Sequence, residues 1–181
     1  AKRPLFIGED IERTAKYADK TNPNINQMPA KYALHNQLPN VKGTVLWYAK
    51  AAVDNVGNYG SMLRNVYWKY PALQPSMPFI DGKAPKKVKR MKVLNIDGDM
   101  VLFWKAPSGK SWKDMATKYV VYRFEKGQKT DISNPMNIIT ITSDTYLKLP
   151  YQDGTKEYTY VVTALDRMQN ESKAVKKKVK L

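Results

Sequence analysis

From Lys156 to Leu165 apolar and polar positions alternate, with Tyr158, Tyr160, Val162 and Ala164 on one face. Alternation with period two marks a half-buried antiparallel strand. Polar residues at 166–172 follow, then a second alternating segment rich in lysine, as a hairpin requires. Turn signals recur upstream at Asp97-Gly98, Pro107-Ser108-Gly109, Gly127, Ser133-Asn134-Pro135 and Asp153-Gly154. They separate strand-like runs at about 88–95, 100–105, 118–125, 137–142, 145–149, 157–165 and 173–180. Short strands at this spacing predict an all-β sandwich. Met100, Leu102 and Trp104 share a face, which makes Trp104 the expected anchor between the sheets. The run 119–124 is apolar on both faces, as a central strand is.

The first half has a different rhythm. Leu5-Phe6-Ile7-Gly8 and Gly43-Thr44-Val45-Leu46-Trp47-Tyr48 are continuous apolar runs of the length of fully buried strands. A helical turn is expected within 9–17 and a loop at Thr21-Asn22-Pro23-Asn24. A helix is expected at 28–38, with Pro29 in its first turn, where the missing N–H costs little. After a loop at 55–60, Ser61 is placed to cap a helix running to about 70. Strand, helix, strand, helix predicts parallel-sheet units, yet two units cannot cover a parallel sheet on both faces. Residues 1–82 therefore read as the tail of a larger α/β domain. The prolines between 71 and 85 oppose helix and central strand alike. They set the expected boundary near 82, with the sandwich at 83–181.

Composition removes several kinds of chemistry. With no cysteine and a single histidine among 181 residues, thiolate sites, disulfides and histidine relays are excluded. No metal or cofactor is expected, and no G-x-G-x-x-G, Walker A, HExxH or EF-hand pattern occurs. Hydrolytic chemistry would rest on carboxylates. No apolar run approaches the ~18 residues of a membrane span. The chain opens Ala1-Lys2-Arg3-Pro4 without a leader-like segment, and reads as an excised or processed piece. The net charge of +15 raises nucleic acid or an anionic surface as a partner. The excess is spread over both halves, however, and the densest group (Lys173, Lys176, Lys177, Lys178, Lys180) falls in the expected last strand, where lysine discourages edge pairing. Nucleic acid is thus the less favoured partner. Asn170-Glu171-Ser172 matches a glycosylation sequon but sits in a turn where such residues are also structural.

Several of these stretches resemble known families. Val101-Leu102-Phe103-Trp104-Lys105-Ala106-Pro107, Tyr119-Val120-Val121-Tyr122-Arg123, and Tyr158 with Ala164 followed by Asn170-Glu171-Ser172 resemble a fibronectin type III domain over 86–181. Departures are the long insert 126–136 and the extended approach to Tyr158. In the first half, Leu5-Phe6-Ile7-Gly8, Gly43-Thr44-Val45-Leu46-Trp47-Tyr48 and Tyr70-Pro71-Ala72-Leu73-Gln74-Pro75 resemble the end of a bacterial glycoside-hydrolase-like, family-10-like group. In that group a (β/α)8 barrel precedes a fibronectin type III-like domain, often in exported lipoproteins. The resemblance implies an α/β segment, the last two β/α units of a TIM-type barrel, followed by an all-β sandwich. It makes Leu5–Gly8 barrel strand seven and residues 44–48 strand eight. Members often carry an amide where this chain has Glu9.

In such barrels the active site lies at the carboxyl ends of the strands. That implies Glu9 and Asp10 as catalytic candidates, and Trp47, Tyr48, Lys50, Asp54 and Asn55 as ligand-binding candidates. Glycoside cleavage uses two carboxylates about 5–10 Å apart. Adjacent Glu9 and Asp10 cannot flank one sugar, so one at most is catalytic and its partner would lie upstream. Both also fit the acids that a helix start favours. Trp47 is either a sugar-stacking face or a core aromatic. Asp54 and Asn55 are equally at home in any loop. His35, mid-helix and away from the strand ends, reads as a packing or surface residue.

The expected function is the C-terminal portion of a secreted glycoside hydrolase acting on polysaccharide or glycan, with the sandwich as an accessory domain and no activity in this chain alone. The expected partners are glycan and the rest of the barrel, with self-association through exposed strand edges. The expected location is extracytoplasmic, periplasmic or at the cell surface, with a membrane reached only through an upstream lipid anchor. Two other classes stay open: a carbohydrate- or protein-binding module without catalysis, and a basic nucleic-acid binder.

Overall fold

The computed structural model describes residues 3–15, 21, 26–150 and 154–181. They form two compact units that divide between Lys69 and Tyr70. The loop expected at 21–24 lies outside the described residues except for Thr21, and Asp153 of one expected turn also lies outside them.

In the first unit, β1 (Leu5–Asp10) and β2 (Val41–Trp47) pair in parallel, with Phe6 opposite Gly43, Gly8 opposite Val45 and Asp10 opposite Trp47. Helix α1 (Ile11–Ala15) continues from β1, and α2 (Met28–Gln37) lies between the strands in sequence. Pro29 lies in the first turn of α2, where its missing N–H leaves no bond unmade. After β2 the backbone breaks into short pieces: α3 (Ala49–Val53), a 3-10 turn (Val56–Asn58), α4 (Tyr59–Met62) and a π-helical turn (Leu63–Tyr67). Tyr48, Asn55, Gly57 and Asn58 all take left-handed φ values, and a right-handed helix cannot run through such residues. The helical region thus starts at Tyr59 rather than being capped at Ser61. A Cβ at Gly60 would stand 2.1 Å from the Ala52 carbonyl oxygen, so only glycine lets α4 pass this close to α3. Ile11, Met28, Tyr32, Ala51, Tyr59 and Leu63 form the small core, with Leu46 of β2 packed against it.

The expected barrel segment is not there. Taken whole, the described chain is mostly β, in three separate sheets of two, three and four strands, with few and short helices. A closed barrel needs each strand paired on both edges. Among the described residues β1 and β2 pair only with each other, so the ladder ends after one pairing. A continuous apolar run is consistent with a buried strand, but it carries no record of how many strands stand beside it.

The second unit is a two-layer sandwich. A three-stranded antiparallel sheet has the order β3 (Lys89–Ile96), β4 (Asp99–Lys105), β7 (Tyr146–Lys148). A four-stranded antiparallel sheet has the order β6 (Ile138–Thr142), β5 (Lys118–Glu125), β8 (Glu157–Leu165), β9 (Val175–Lys180). Leu102, Trp104, Tyr119, Val121, Tyr160, Val162 and Ala164 fill the space between them. The Trp104 and Tyr119 rings meet edge to face at 5.6 Å, a favoured aromatic geometry.

The outer face of the four-stranded sheet is also apolar and buried. Val120, Tyr122, Phe124, Ile138, Val161 and Leu165 form a second cluster, with Leu73 and Ile132 packed onto it. The proline-rich segment from Tyr70 onward therefore belongs to the second unit as a strap across that face. The Met77 N–H donates to the Met168 carbonyl at 2.9 Å, and the Asn170 amide donates to the Asp81 carbonyl at 2.8 Å. Insert 126–136 supplies Ile132 to the same cover. Among the described residues no helix is long and apolar enough to cross a membrane.

Candidate functional site

Successive residues of a strand point to opposite faces, and this separates the two catalytic candidates. Glu9 faces the core side of the β1–β2 sheet and is only 4% exposed. A buried carboxylate needs compensation, which comes from α2 and α1. Lys31 Nζ donates to Glu9 Oε2 at 2.7 Å and to Thr14 Oγ1 at 2.9 Å. The Thr14 hydroxyl donates to the same carboxylate oxygen at 3.3 Å. His35 Nε2 stands 3.4 Å from Glu9 Oε1.

Lys31 and His35 are one helical turn apart, so a single face of α2 delivers both. His35 is thus not remote from the strand end, as its mid-helix place implied, but packed against the Glu9 carboxylate. The Tyr32 and Tyr67 rings meet at a tilt of 31°, with centroids 4.2 Å apart. Burial raises the Tyr32 pKa, with the nearby Tyr59 and Thr44 hydroxyls opposing. Burial chiefly, then the neighbouring Tyr32, holds Tyr59 well above the usual tyrosine range. Tyr32 and Tyr59 hydroxyls lie close together but, among the described residues, neither closes a hydrogen bond of good geometry.

Asp10 faces the opposite side. Its Oδ1 accepts the Arg13 N–H at 3.0 Å, capping α1, and its other oxygen lies 3.6 Å from Arg13 Nε. Across the ladder from it stands Trp47, 72% exposed. Phe6, Gly8 and Val45 share this face by register; Phe6 and Val45 are exposed, and a Cβ built on Gly8 would meet nothing within 4 Å. Tyr48, half exposed, follows with φ +58°. A bulky residue in that conformation is a strained one.

The remaining candidates are taken up locally. Lys50 pairs with Asp54 one turn along α3, and the hydrogen bond to Asp54 raises the lysine's pKa. The Asn55 side-chain oxygen accepts the Ser61 N–H at 2.8 Å. In the sandwich, the sequon is spent on its own turn. Asn170 is buried and its amide donates to Asp166 Oδ2 at 2.9 Å as well as to Asp81. Ser172 Oγ accepts the Ala164 N–H at 2.9 Å.

Two arrangements follow. Glu9, Lys31, Thr14 and His35 make a closed polar cluster that ties β1 to α2. Asp10, Trp47 and Tyr48 make an open surface with one accessible carboxylate beside a flat aromatic. Among the described residues no three His, Cys, Asp or Glu side chains come together as metal ligands would. Sequence reasoning missed Lys31 and Thr14, and set His35 away from the strand ends. The Lys31/His35 spacing was the available signal, read together with the rule that a buried acid must have partners.

No protein-family model matches the chain. Among curated proteins, "Glycosyl hydrolase YngK" of Bacillus subtilis (strain 168) is 34% identical over 179 residues, which is 97% of this chain. Among solved structures, the spore cortex lytic enzyme SleM of Clostridium perfringens aligns over 54% of this chain and 28% of its own, at 12% identity and a TM-score of 0.38. A structure titled FN3tt mut aligns over 53% of this chain and 94% of its own, at 18% identity and a TM-score of 0.39. Likenesses this distant say nothing about function. The chain has, then, a homologue named as a glycosyl hydrolase, and it spans about a third, 34%, of the length of that relative.

Proposed function

We propose that this chain is part of a glycoside-hydrolase-related protein that acts on polysaccharide. In this reading the sandwich is an accessory, structural domain and the Trp47 face of the first unit contacts sugar. The observation that carries it is the 34% identity, over nearly the whole chain, to a protein named as a glycosyl hydrolase. The geometry adds an exposed indole, whose flat apolar face suits a pyranose ring, next to the Asp10 carboxylate. An extracytoplasmic location belongs to the same proposal, with a lipid anchor as a means of attachment.

The chain alone is not expected to cleave glycosides. Such cleavage needs an acid and a base or nucleophile on either side of one bond. Here Glu9 is buried and ion-paired on the far side of the sheet from Asp10. A binding module without catalysis is the second reading, and the exposure of Trp47 favours it equally. Affinity electrophoresis of the chain in gels of neutral polysaccharides tests both readings. Retardation abolished by Trp47→Ala supports the sugar-contacting face; equal mobility of both proteins in every gel rejects it. Release of reducing sugar by the chain itself would contradict the expected lack of activity.

A further inference from the structure

The sandwich carries a run of lysines that edge protection alone does not explain. Four strands are sheet edges: β3, β7, β6 and β9. Lysine on an edge discourages pairing with another sheet, but the four edges are treated very differently. Strand β6, Ile-Ile-Thr-Ile-Thr, carries no charge at all. The one lysine of β7, Lys148, is paired with Asp99 at 2.6 Å. The lysines instead gather where β9 comes beside the segment entering β3.

Lys86, Lys87, Lys89 and Lys173 line a groove of about 610 Å³ with Ala84, Pro85 and Glu171. Lys176 and Lys178 continue the run along β9, two residues apart on one face and exposed. That places their stems about 6.6 Å apart. Among the described residues none of these six lysines forms an ion pair. The one carboxylate in the groove is engaged: Glu171 Oε1 accepts the Tyr122 hydroxyl at 2.7 Å and the Thr163 hydroxyl at 2.6 Å. Arg90, next along the chain, is held at φ +52° where the β3–β4 register slips. Backbone strain of this kind is retained where surrounding structure enforces it.

We propose that this lysine-lined edge binds a linear acidic polysaccharide, one carrying carboxylates on its sugars. Unpaired ammonium groups in line along a strand and around an open groove match a chain of repeating negative charge. That the polyanion is a glycan rests on the glycoside-hydrolase reading above. The site also lacks what single-stranded nucleic acid uses, an aromatic stacking platform. Segment 84–89, β3 and β9 contain no aromatic residue, and Tyr158 and Tyr160 of the neighbouring β8 are buried.

The test titrates the chain with polygalacturonate, neutral dextran and single-stranded DNA over a range of salt. The variants are K86Q/K87Q/K89Q and K176Q/K178Q, and K42Q/K129Q serves as a control for charge removed elsewhere. All substitutions lie at exposed positions, and unchanged circular dichroism verifies folding. The proposal expects polygalacturonate to bind with affinity that falls steeply and log-linearly with salt. Each edge variant should weaken it about tenfold or more, as loss of two or three charge contacts implies, with K42Q/K129Q near wild type. Polygalacturonate affinity unchanged in both edge variants overturns it. So does an equal loss in K42Q/K129Q, or tighter binding of DNA than of polygalacturonate through the same lysines. Loss of dextran retention in Trp47→Ala concerns only the face on β2, so the two readings fail separately.

Discussion

The two units solve the same problem to different degrees. In the sandwich the four-stranded sheet is covered on both faces, by Trp104 and Leu102 from the facing sheet inside and by Leu73 and Ile132 outside. In the first unit a two-stranded sheet is covered on one face by α2, and the other face leaves Phe6, Val45 and Trp47 to solvent. Apolar burial is the main stabilising term in folding, so the sandwich has a self-sufficient core and the first unit a thin one. The first unit offsets this with polar ties: Glu9 to Lys31, Asn55 to Ser61, Asp10 to the start of α1.

The largest break in this comparison comes from the outer core of the sandwich. Phe124→Ala removes a fully buried ring and is expected to cost about 3–5 kcal/mol, read as a lower urea midpoint of the sandwich transition. If Phe124 were in fact uncovered, the midpoint would hardly move.

Glu9→Gln sharpens the other side. It leaves Lys31 facing a neutral amide, and the expected loss is about 1–3 kcal/mol, at the low end because Lys31 is about a third exposed. The loss should appear in probes of the first unit, such as exchange of the β1 and α2 amides, and leave the sandwich transition in place. A solvent-facing Glu9 would give no change in either.

The tyrosines supply a smaller effect shared by both units. Burial raises the pKa of Tyr119, Tyr160 and Tyr122, helped in Tyr122 by its hydrogen bond to Glu171, and burial raises Tyr32 and Tyr59 in the first unit. Above pH 10 the unfolded chain loses phenolic protons that the folded chain keeps, so it binds fewer protons and stability falls as pH rises. Stability from this source is complete below the unfolded value of about 10 and declines above it. Denaturation midpoints between pH 9 and 11 check the sign, and a midpoint that rises over that range would contradict it.

The contrast also explains what the sequence revealed. Seven strands of the sandwich lie within about two residues of their expected positions, because alternation is local and each strand reports its own two faces. Strap 70–82 was harder to place: prolines mark where regular structure stops, not which face the chain then crosses. In the first unit, strands and α2 were legible as elements, while their surroundings were not. An apolar run reads as buried on both sides, yet Trp47 and Val45 are exposed, since among the described residues β2 has one neighbouring strand and helices against one face only. The same gap produced the barrel expectation. Among the candidate residues, Glu9 and Asp10 looked alike in sequence; only the strand pleat separates a buried carboxylate from a capping one. His35 became relevant only once α2 folded back over β1.

The central claim is that the sandwich is a complete folding unit and the first unit a thinly covered one. Amide hydrogen exchange on the intact chain tests it most directly. The account predicts that β5 and β8 amides exchange only through global opening, whereas β1, β2 and α2 amides exchange through openings of much lower free energy, faster still in Glu9→Gln. Equal protection of β1–β2 and β5–β8, lost together in one transition, would contradict it.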